Sequence, residues 1–283
     1  MNAVVSVVQC ANRLGEGPCW SPVERRLYWF DIKAPELHWL DGDGATGYFP
    51  LPMRASVATP RAAVGLLLAT EWGLAILDTV SGQVEVVQRL VLEPGFRTND
   101  GKIDPAGNFW WSTMDDHHGE RPGAVYRTSP AMVTERMIDG IHIANSLCVS
   151  GDGKRLYLAD SRLGVMFVYN TGDLSQVREF ARPGGGATPD GSAIDAQGYL
   201  WNAHWGGWRI VRYAPDGGVD RVVETPVAQP TSCAFGGDDL STLYVTSAWD
   251  GLTADEREKQ PLAGSLFAFE PGVGGMPVPL FAG

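Results

Sequence analysis

The chain has 283 residues and carries a formal net charge of −11 at pH 7, with a pI of about 4.9. This length accommodates one large β domain or two ordinary domains, and it allows a substantial core to be buried. The acidic balance argues against nucleic acids and anionic membranes as partners, because both require a basic face. A neutral or cationic ligand, or a bound cation, suits the charge better.

Four cysteines stand at positions 10, 19, 148 and 233, and they form neither a C-x-x-C pair nor a zinc-finger spacing. We interpret them as small buried thiols in a reduced protein. The N-terminus lacks the basic and apolar regions of a signal peptide, and no apolar run approaches the ~20 residues of a membrane span. We therefore expect a cytoplasmic protein.

A repeat of apolar strands organises the chain. The central residues of the six strongest strands are Tyr28, Leu67, Trp110, Tyr157, Trp201 and Tyr244, at spacings of 39, 43, 47, 44 and 43 residues. A period in the low forties with several strands per period is typical of β-propeller blades. No long segment shows clean helical periodicity. We therefore predict an all-β fold, a six-bladed β-propeller that forms one domain over residues 1–283.

Turn signals divide each repeat into four antiparallel strands. The third strand ends at a turn each time, as Glu36–Leu40 does before an Asp-Gly pair. A more polar fourth strand follows, for example Val84–Leu90, as expected where one edge faces solvent. The last blade must be closed against the first to leave no open edge. We assign Val4–Val8 as its outermost strand, with Pro277–Phe281 as the competing segment.

Polar side chains recur at one phase of the repeat, at the start of the first strand of a blade. They are Glu16, Asn99, Asn145, Asp190 and Ser232. Each alone is explained by an ordinary turn or strand entry. Their shared phase instead predicts that they meet at one rim of the central channel. Loops after the second strands return to that rim, and the longest, Trp249–Ala263, contains a predicted short helix at Thr253–Lys259.

The rim residues form a set of hard oxygen donors. Glu16 and Asp190 offer carboxylates and Asn145 offers an amide oxygen, with Asn99 as a further candidate. Such a set suits Ca²⁺, Mg²⁺ or Mn²⁺, and Zn²⁺ is an alternative because carboxylates also bind it. An ion with so few protein ligands keeps coordination positions for water or substrate, which is the arrangement of a catalytic site.

Several loop residues are further candidates for the pocket. Trp205, Trp208 and Trp249 are predicted wall residues, and His117, His118 and His204 are either substrate contacts or exposed loop residues. Asp160 and Asp195 lie at strand-end turns, where we expect them to cap the backbone.

Several segments together resemble the SMP-30/gluconolactonase family. They are Leu14-Gly15-Glu16-Gly17-Pro18, Arg97-Thr98-Asn99-Asp100-Gly101-Lys102, Ile143-Ala144-Asn145-Ser146, Pro189-Asp190-Gly191 and Cys233-Ala234-Phe235-Gly236-Gly237. The resemblance extends from about Leu14 to Ala263. It implies a six-bladed propeller with one divalent cation in the channel and the hydrolysis of sugar lactones to aldonic acids. Ca²⁺ is then the favoured ion, a sugar lactone the small-molecule partner, and a monomer or weak homo-oligomer the expected state.

The resemblance also implies roles for single residues. Glu16, Asn145 and Asp190 match the metal ligands, and Asp190 also matches the proposed general base. Arg97 and Asn99 match residues that hold the substrate near the ion.

Two points stay open at this stage. Some members of the family have a substrate-binding carboxylate where this chain has His117, counting from Thr113-Met114. We assign His117 to substrate binding, and the ring size and stereochemistry of the sugar are left open. The alternative functions are an esterase or phosphotriesterase on the same metal site, and a non-catalytic calcium-binding or protein-interaction propeller.

Overall fold

The structure, a computed structural model, describes residues 3–283. It contains six four-stranded antiparallel sheets. Their innermost strands contact one another in a closed ring around a central channel. The prediction of an all-β, six-bladed propeller is confirmed.

The strands follow the chain blade by blade. Strand β1 (Val5–Val8) belongs to the last blade. Blade 1 contains β2 (Gly15–Ser21), β3 (Arg26–Asp31), β4 (Glu36–Asp41) and β5 (Thr46–Pro50). Blade 2 contains β6 (Ala55–Pro60), β7 (Leu66–Thr70), β8 (Gly73–Leu77) and β9 (Val84–Arg89). Blade 3 contains β10 (Phe96–Ile103), β11 (Phe109–Asp115), β12 (Gly123–Thr128) and β13 (Thr134–Ile141).

The second half of the ring repeats this order. Blade 4 contains β14 (Ala144–Val149), β15 (Arg155–Asp160), β16 (Val165–Asn170) and β17 (Asp173–Ala181). Blade 5 contains β18 (Thr188–Ile194), β19 (Leu200–Trp205), β20 (Arg209–Tyr213) and β21 (Val219–Glu224). Blade 6 contains β22 (Pro230–Gly236), β23 (Thr242–Ser247), β24 (Leu266–Phe269) and the N-terminal β1.

The N-terminal strand closes the ring, as predicted. Val5 lies opposite Ala268 and Ser6 opposite Phe267 in an antiparallel pair. The competing segment 277–281 forms no such strand. Pro277 and Pro279 lie two residues apart, on the same side of an extended chain, and neither has the backbone N–H that pairing with a neighbouring strand requires. Instead it crosses the far end of the channel, where Phe281 N donates to Pro60 O at 2.8 Å and Ala62 N donates to Phe281 O at 2.8 Å.

Burial follows the position of each strand within its blade. Second strands such as β7 are buried along their whole length, whereas outer strands such as β9 alternate between half-buried and exposed residues. The core lies between neighbouring blades, where Tyr28 and Phe30 of blade 1 cluster with Leu66 and Leu68 of blade 2. Packing of adjacent blades through their second strands therefore explains the apolar repeat of the sequence.

One short helix interrupts the strands. Helix α1 (Ala254–Lys259) begins at the N-cap Thr253, whose hydroxyl accepts from Glu256 N while the Glu256 side chain accepts from Thr253 N. This capping box confirms the helix predicted in the long loop, which starts one residue later than expected. Within residues 3–283, no helix is long and apolar enough to cross a membrane.

A break in strand register recurs in every innermost strand. The shifts lie between Glu16 and Cys19 in β2, between Thr98 and Gly101 in β10, and between Pro189 and Ser192 in β18. Equivalent shifts occur in β6, β14 and β22. Bulges of this kind redirect side chains. Here they occur at the rim positions that the sequence singled out.

Strands β18 and β22 approach each other closely beside the bulge at Asp190. A Cβ atom on Gly191 would overlap the Ser232 side chain and come within 2.9 Å of Ser232 Cα. Only glycine therefore permits this approach, which sets the position of the Asp190 backbone.

We expect Gly191→Ala to lower the free energy of unfolding by about 1–3 kcal/mol, because the added methyl group overpacks the β18–β22 contact. Gly184→Ala is the matched control, since nothing lies within 4 Å of its added Cβ, and it should change stability by less than about 0.5 kcal/mol. Urea unfolding of the three proteins measures both changes. Equal stability of Gly191→Ala and the wild type would contradict the close approach.

His204 of β19 is a buried structural residue. Its Nδ1 accepts a hydrogen bond from Arg209 Nε at 3.0 Å, and its Nε2 lies 3.1 Å from the Tyr213 hydroxyl. Burial, followed by the charge of Arg209, lowers the pKa of His204 to about 3. The neutral ring is therefore part of the folded state.

The pKa of His204 is lower in the folded state than in the unfolded state, so below about pH 6.5 the unfolded chain binds a proton that the folded protein does not. The free energy of unfolding should therefore fall as the pH drops below about 6.5. At pH 5 this single group should lower the free energy of unfolding by roughly 2 kcal/mol relative to pH 7. We expect His204→Gln to flatten the pH dependence between 7 and 5 by that amount. His117→Gln, which removes a largely exposed ring, is the control. Urea unfolding at pH 7 and pH 5 measures the change in the free energy of unfolding for each protein. An identical change in all three proteins would refute the assignment of His204 as a buried neutral residue.

Candidate metal centre

A cavity of about 1130 Å³ lies at the end of the channel where the innermost strands begin. Its walls come from the loops that follow the second strands, as the sequence predicted, in five of the six blades. These loops contribute Lys33, Asp116, His118, Ser161, Trp205, Asp250 and Gly251. Blade 2 contributes none because its second and third strands are joined by a tight hairpin, with Thr70 paired to Gly73.

The three predicted metal ligands line this cavity together. Asp190 and Asn145 are buried, and Glu16 lies close enough to Asp190 for its charge to add to the effect of burial in raising the pKa of that carboxyl. Asn145 Nδ2 donates to Ser161 Oγ at 2.9 Å, so the amide orientation is fixed and its oxygen faces Asn99. The structure therefore brings side chains from blades 1, 4 and 5 into one cavity.

The donor set fits a hard cation. Asp190 Oδ1 is buried and has no hydrogen-bond partner among residues 3–283, and a buried carboxylate oxygen is stable only when something satisfies it. Over the same residues, no three His, Cys, Asp or Glu side chains are grouped to hold an ion. An ion here would thus rely on two carboxylates and the Asn145 amide, an oxygen-only set of the type that Ca²⁺, Mg²⁺ and Mn²⁺ prefer.

Electrostatics point in the same direction. Burial, and then the charge of Asp100, raises the pKa of Glu16 to about 8. Burial, and then the charge of Glu16, raises the pKa of Asp190. Both raised pKa values indicate that the surroundings do not stabilise the full negative charge of the two carboxylates. A bound cation would supply the missing positive charge.

Asp100 is a channel carboxyl that the sequence analysis treated only as part of a turn. It is buried, and it accepts hydrogen bonds from Gly101 N and Leu147 N, both at 2.8 Å. The second bond ties blade 3 to blade 4 beside Asn145. The register shift in β10 spans Asn99 and Asp100. Asn99 lines the cavity, whereas Asp100 lies behind the lining and acts on the site through its charge on Glu16.

Arg97 and Asn99 form a chain of hydrogen bonds that ends at the candidate ligands. Arg97 Nη1 donates to Asn99 Oδ1 at 2.7 Å, and Asn99 Nδ2 donates to Asn145 Oδ1 at 3.0 Å. The Asn99 oxygen therefore accepts from Arg97, and the Asn99 amide nitrogen holds the Asn145 oxygen. In this arrangement Asn99 positions Asn145, and its role as a further oxygen ligand stays a prediction.

A charged network on the cavity wall was not found from the sequence. Asp116 accepts from Arg54 Nη1 at 2.7 Å, from Arg97 Nε at 2.8 Å and from Lys33 Nζ at 3.0 Å. Arg54 also pairs with Glu71 at 3.0 Å. Burial alone would raise the pKa of Asp116, but the charge of Arg97 and the hydrogen bonds from Arg54 and Lys33 outweigh it and hold this pKa below its usual range.

His117 lies outside the cavity lining. Its side chain is 76% exposed and its Nδ1 lies 3.3 Å from Asp115 Oδ1. The backbone of this loop alternates, so Met114, Asp116 and His118 face the cavity. The structure does not bring His117 together with the other predicted site residues.

The remaining loop candidates separate into two groups. Trp205 lines the cavity, whereas the Trp249 ring stacks with Arg257 at 3.9 Å and its Nε1 donates to Ala11 O. Trp208 and His204 are not among the lining residues. The predicted capping roles are confirmed: Asp160 accepts from three backbone N–H groups and Asp195 from two.

A second cavity, of about 760 Å³, lies at the opposite end of the channel beneath the C-terminal segment. Its lining is mainly apolar, and Lys102 is the single charged side chain among its lining residues. Cys19 and Cys148 also line it, and all four cysteines are free thiols. Without a carboxylate in its lining, this end of the channel offers no comparable set of oxygen ligands.

Comparisons with known proteins agree with this architecture. Residues 14–249 match the model of the SMP-30/Gluconolactonase/LRE-like region. The chain is 37% identical over 288 residues to a 6-deoxy-6-sulfogluconolactonase from Pseudomonas putida, covering 98% of each chain. It is 39% identical over 284 residues to an L-arabinolactonase from Azospirillum brasilense, covering 96% of this chain and 93% of that one.

A solved structure is similar over almost the whole ring. The calcium-binding protein regucalcin from Agrobacterium tumefaciens superposes with a TM-score of 0.92 at 32% identity, covering 98% of this chain and 96% of that chain. Together with the match to the family model, this similarity extends across all six blades. The chain belongs to the SMP-30/gluconolactonase/LRE-like family.

Proposed function

We propose that the protein is a metal-dependent hydrolase that opens a sugar lactone, an aldono-1,4- or 1,5-lactone, to the aldonic acid. The observation that carries this proposal is the convergence of Glu16, Asn145 and Asp190 in one buried cavity, with Asp190 Oδ1 left without a partner. Two relatives that match nearly the full chain are named as lactonases. The similarity to a calcium-binding protein supports a divalent ion.

Glu16, Asn145 and Asp190 would hold this ion. Their oxygen-only donor set favours Ca²⁺, Mg²⁺ or Mn²⁺ over Zn²⁺, and we favour Ca²⁺ among them because of the similarity to a calcium-binding protein. When bound, the ion would polarise the lactone carbonyl as a Lewis acid and lower the pKa of the attacking water.

Asp190 is the proposed general base. A base must lie within hydrogen-bond reach of the water whose proton it removes. Asp190 lines the cavity and its Oδ1 has no protein partner among residues 3–283, so this carboxyl is free to accept a proton from a water molecule in the cavity.

Arg97 and Asn99 are the proposed substrate-orienting residues. Both line the cavity, and the hydrogen bonds of Arg97 to Asp116 and to Asn99 fix its guanidinium before any substrate enters. A fixed donor loses little entropy on binding, and it holds hydroxyl or carbonyl oxygens in one orientation.

The esterase, phosphotriesterase and non-catalytic alternatives are tested in one assay. The protein is loaded separately with each ion and incubated with five- and six-membered aldonolactones, an aryl ester and paraoxon, while released acid is titrated at constant pH. We expect turnover of at least one aldonolactone above the other substrates. Turnover of the aryl ester or paraoxon alone would favour the other hydrolases, and no turnover at all would favour a non-catalytic propeller.

We expect Asp190→Asn to fold and to lower kcat by ~10²–10⁴-fold, the usual effect of removing a general base. Asp152→Asn, at an exposed turn between β14 and β15 of blade 4, is the control and should retain wild-type kcat. Steady-state kinetics at saturating metal measures the change. Turnover of metal-loaded Asp190→Asn at the wild-type rate would refute the base assignment.

We expect Ca²⁺ at ~100 times its Kd to stabilise the folded protein by ~2.7 kcal/mol, because the ion binds the folded state. Glu16→Gln should lose most of this stabilisation, whereas Glu258→Gln on the exposed face of α1 should keep it. The melting temperature is recorded for each protein with chelator and with added Ca²⁺. An equal Ca²⁺-dependent shift in Glu16→Gln and the wild type would argue against Glu16 as a ligand.

A further inference from the structure

The wall network of the cavity carries more positive than negative charge. Lys33, Arg54 and Arg97 supply three positive charges, and Asp116 and Glu71 supply two negative ones. Each hydrogen bond or ion pair in the network is between 2.7 and 3.0 Å. One positive charge is therefore left in excess on this wall.

No other charge of the cavity neutralises this excess. Asp250, on a different part of the lining, is paired with Arg13 at 2.7 Å. Glu16 and Asp190 balance the divalent ion of the proposed function. The excess positive charge is also partly shielded from water, because the Lys33 and Asp116 side chains are each 22% exposed and that of Arg97 is 7% exposed. An uncompensated charge in such a place favours a bound counter-ion.

Lys33 is the part of the network that is best placed to meet a ligand. It lines the cavity, and the hydrogen bond to Asp116 uses one of its three N–H donors. Arg54 does not line the cavity and is occupied by Asp116 and Glu71. A chain of hydrogen bonds through Asp116, Arg97 and Asn99 links Lys33 to Asn145. Lys33 is not one of the candidate ion ligands, so it faces a part of the substrate other than the carbonyl at the ion.

We propose that this wall selects lactones that carry an anionic group, such as a phosphate, sulfonate or carboxylate, on the carbon chain remote from the lactone carbonyl. This inference rests on the proposed function, and it names the substrate class of the same site. The Lys33 ammonium binds the anion directly, and its hydrogen bond to Asp116, which also accepts from Arg97, holds Lys33 in place.

The test compares matched pairs of substrates. D-Glucono-1,5-lactone is paired with 6-phospho-D-glucono-1,5-lactone, and D-glucono-1,4-lactone with D-glucaro-1,4-lactone, which carries a carboxylate. At low ionic strength the wild type should show a kcat/KM at least 10-fold higher for the anionic member of one pair. This ratio should fall as salt is added, because screening weakens a charge–charge contact at an accessible site.

Two variants separate charge from structure. Lys33→Met removes the excess charge and should reduce the anionic-to-neutral ratio at least 10-fold. Arg54→Gln/Glu71→Gln removes one charge of each sign, so the excess is kept and the ratio should stay within about 3-fold of the wild type. Lys154→Met, at an exposed turn, controls for the loss of a lysine. Circular dichroism confirms that each variant is folded, and the salt dependence of the wild type tests the inference without any variant.

The outcomes distinguish this inference from the proposed function. Hydrolysis of the neutral lactones without any preference for their anionic partners overturns the inference and leaves the lactonase function intact. A preference that survives both added salt and Lys33→Met also overturns it. Failure to hydrolyse every lactone rejects the proposed function itself.

Discussion

Repulsion among buried carboxyl groups is the constraint on which the channel end of this propeller depends. In addition to burial, the charge of Glu16 raises the pKa of Asp190, and the charge of Asp100 raises the pKa of Glu16. Blades 1, 3 and 5 each contribute one of these groups, so the repulsion acts across the ring. Packing between blades holds them together, because the apolar second strands bury the blade interfaces around the whole circle.

The bulges convert this general scaffold into a site. A regular strand alternates its side chains between two faces, so it would send neighbouring rim residues in opposite directions. The shift in β10 lies between Thr98 and Gly101, beside Asn99, which accepts from Arg97 and lines the cavity. The positive backbone φ of Gly17 (57°) and Ser146 (58°) lies beside the bulges in β2 and β14. Conformations of this kind are common where structure is organised around a functional site.

The sequence predicted the fold well because blade period and strand burial depend on local patterns. The spacing of Tyr28, Leu67 and the later anchors reports the packing between blades, and the structure follows it. The shared position of Glu16, Asn145 and Asp190 within the repeat also predicted that they lie together, and all three line one cavity. The wall network was missed because its members lie in loops and carry no apolar pattern: Lys33 and Asp116 follow second strands at different offsets, and Arg54 lies between blades 1 and 2. The assignment of His117 relied on counting along a loop, and residue counting does not determine which alternate side chains face inward.

Closure of the ring has a consequence for how the protein is made. Val5 pairs with Ala268, and Thr231 Oγ1 donates to Gly15 O across the junction of blades 6 and 1. The residues of the Thr231–Gly15 bond are 216 positions apart in the sequence, so this contact closes a long loop and requires that blade 6 has already been synthesised. Glu16 belongs to blade 1, yet it reaches its final place in the cavity with Asp190 only when this junction is complete. Assembly of this end of the channel is thus a late event in biosynthesis, and a partial chain that lacks blade 6 would not form it.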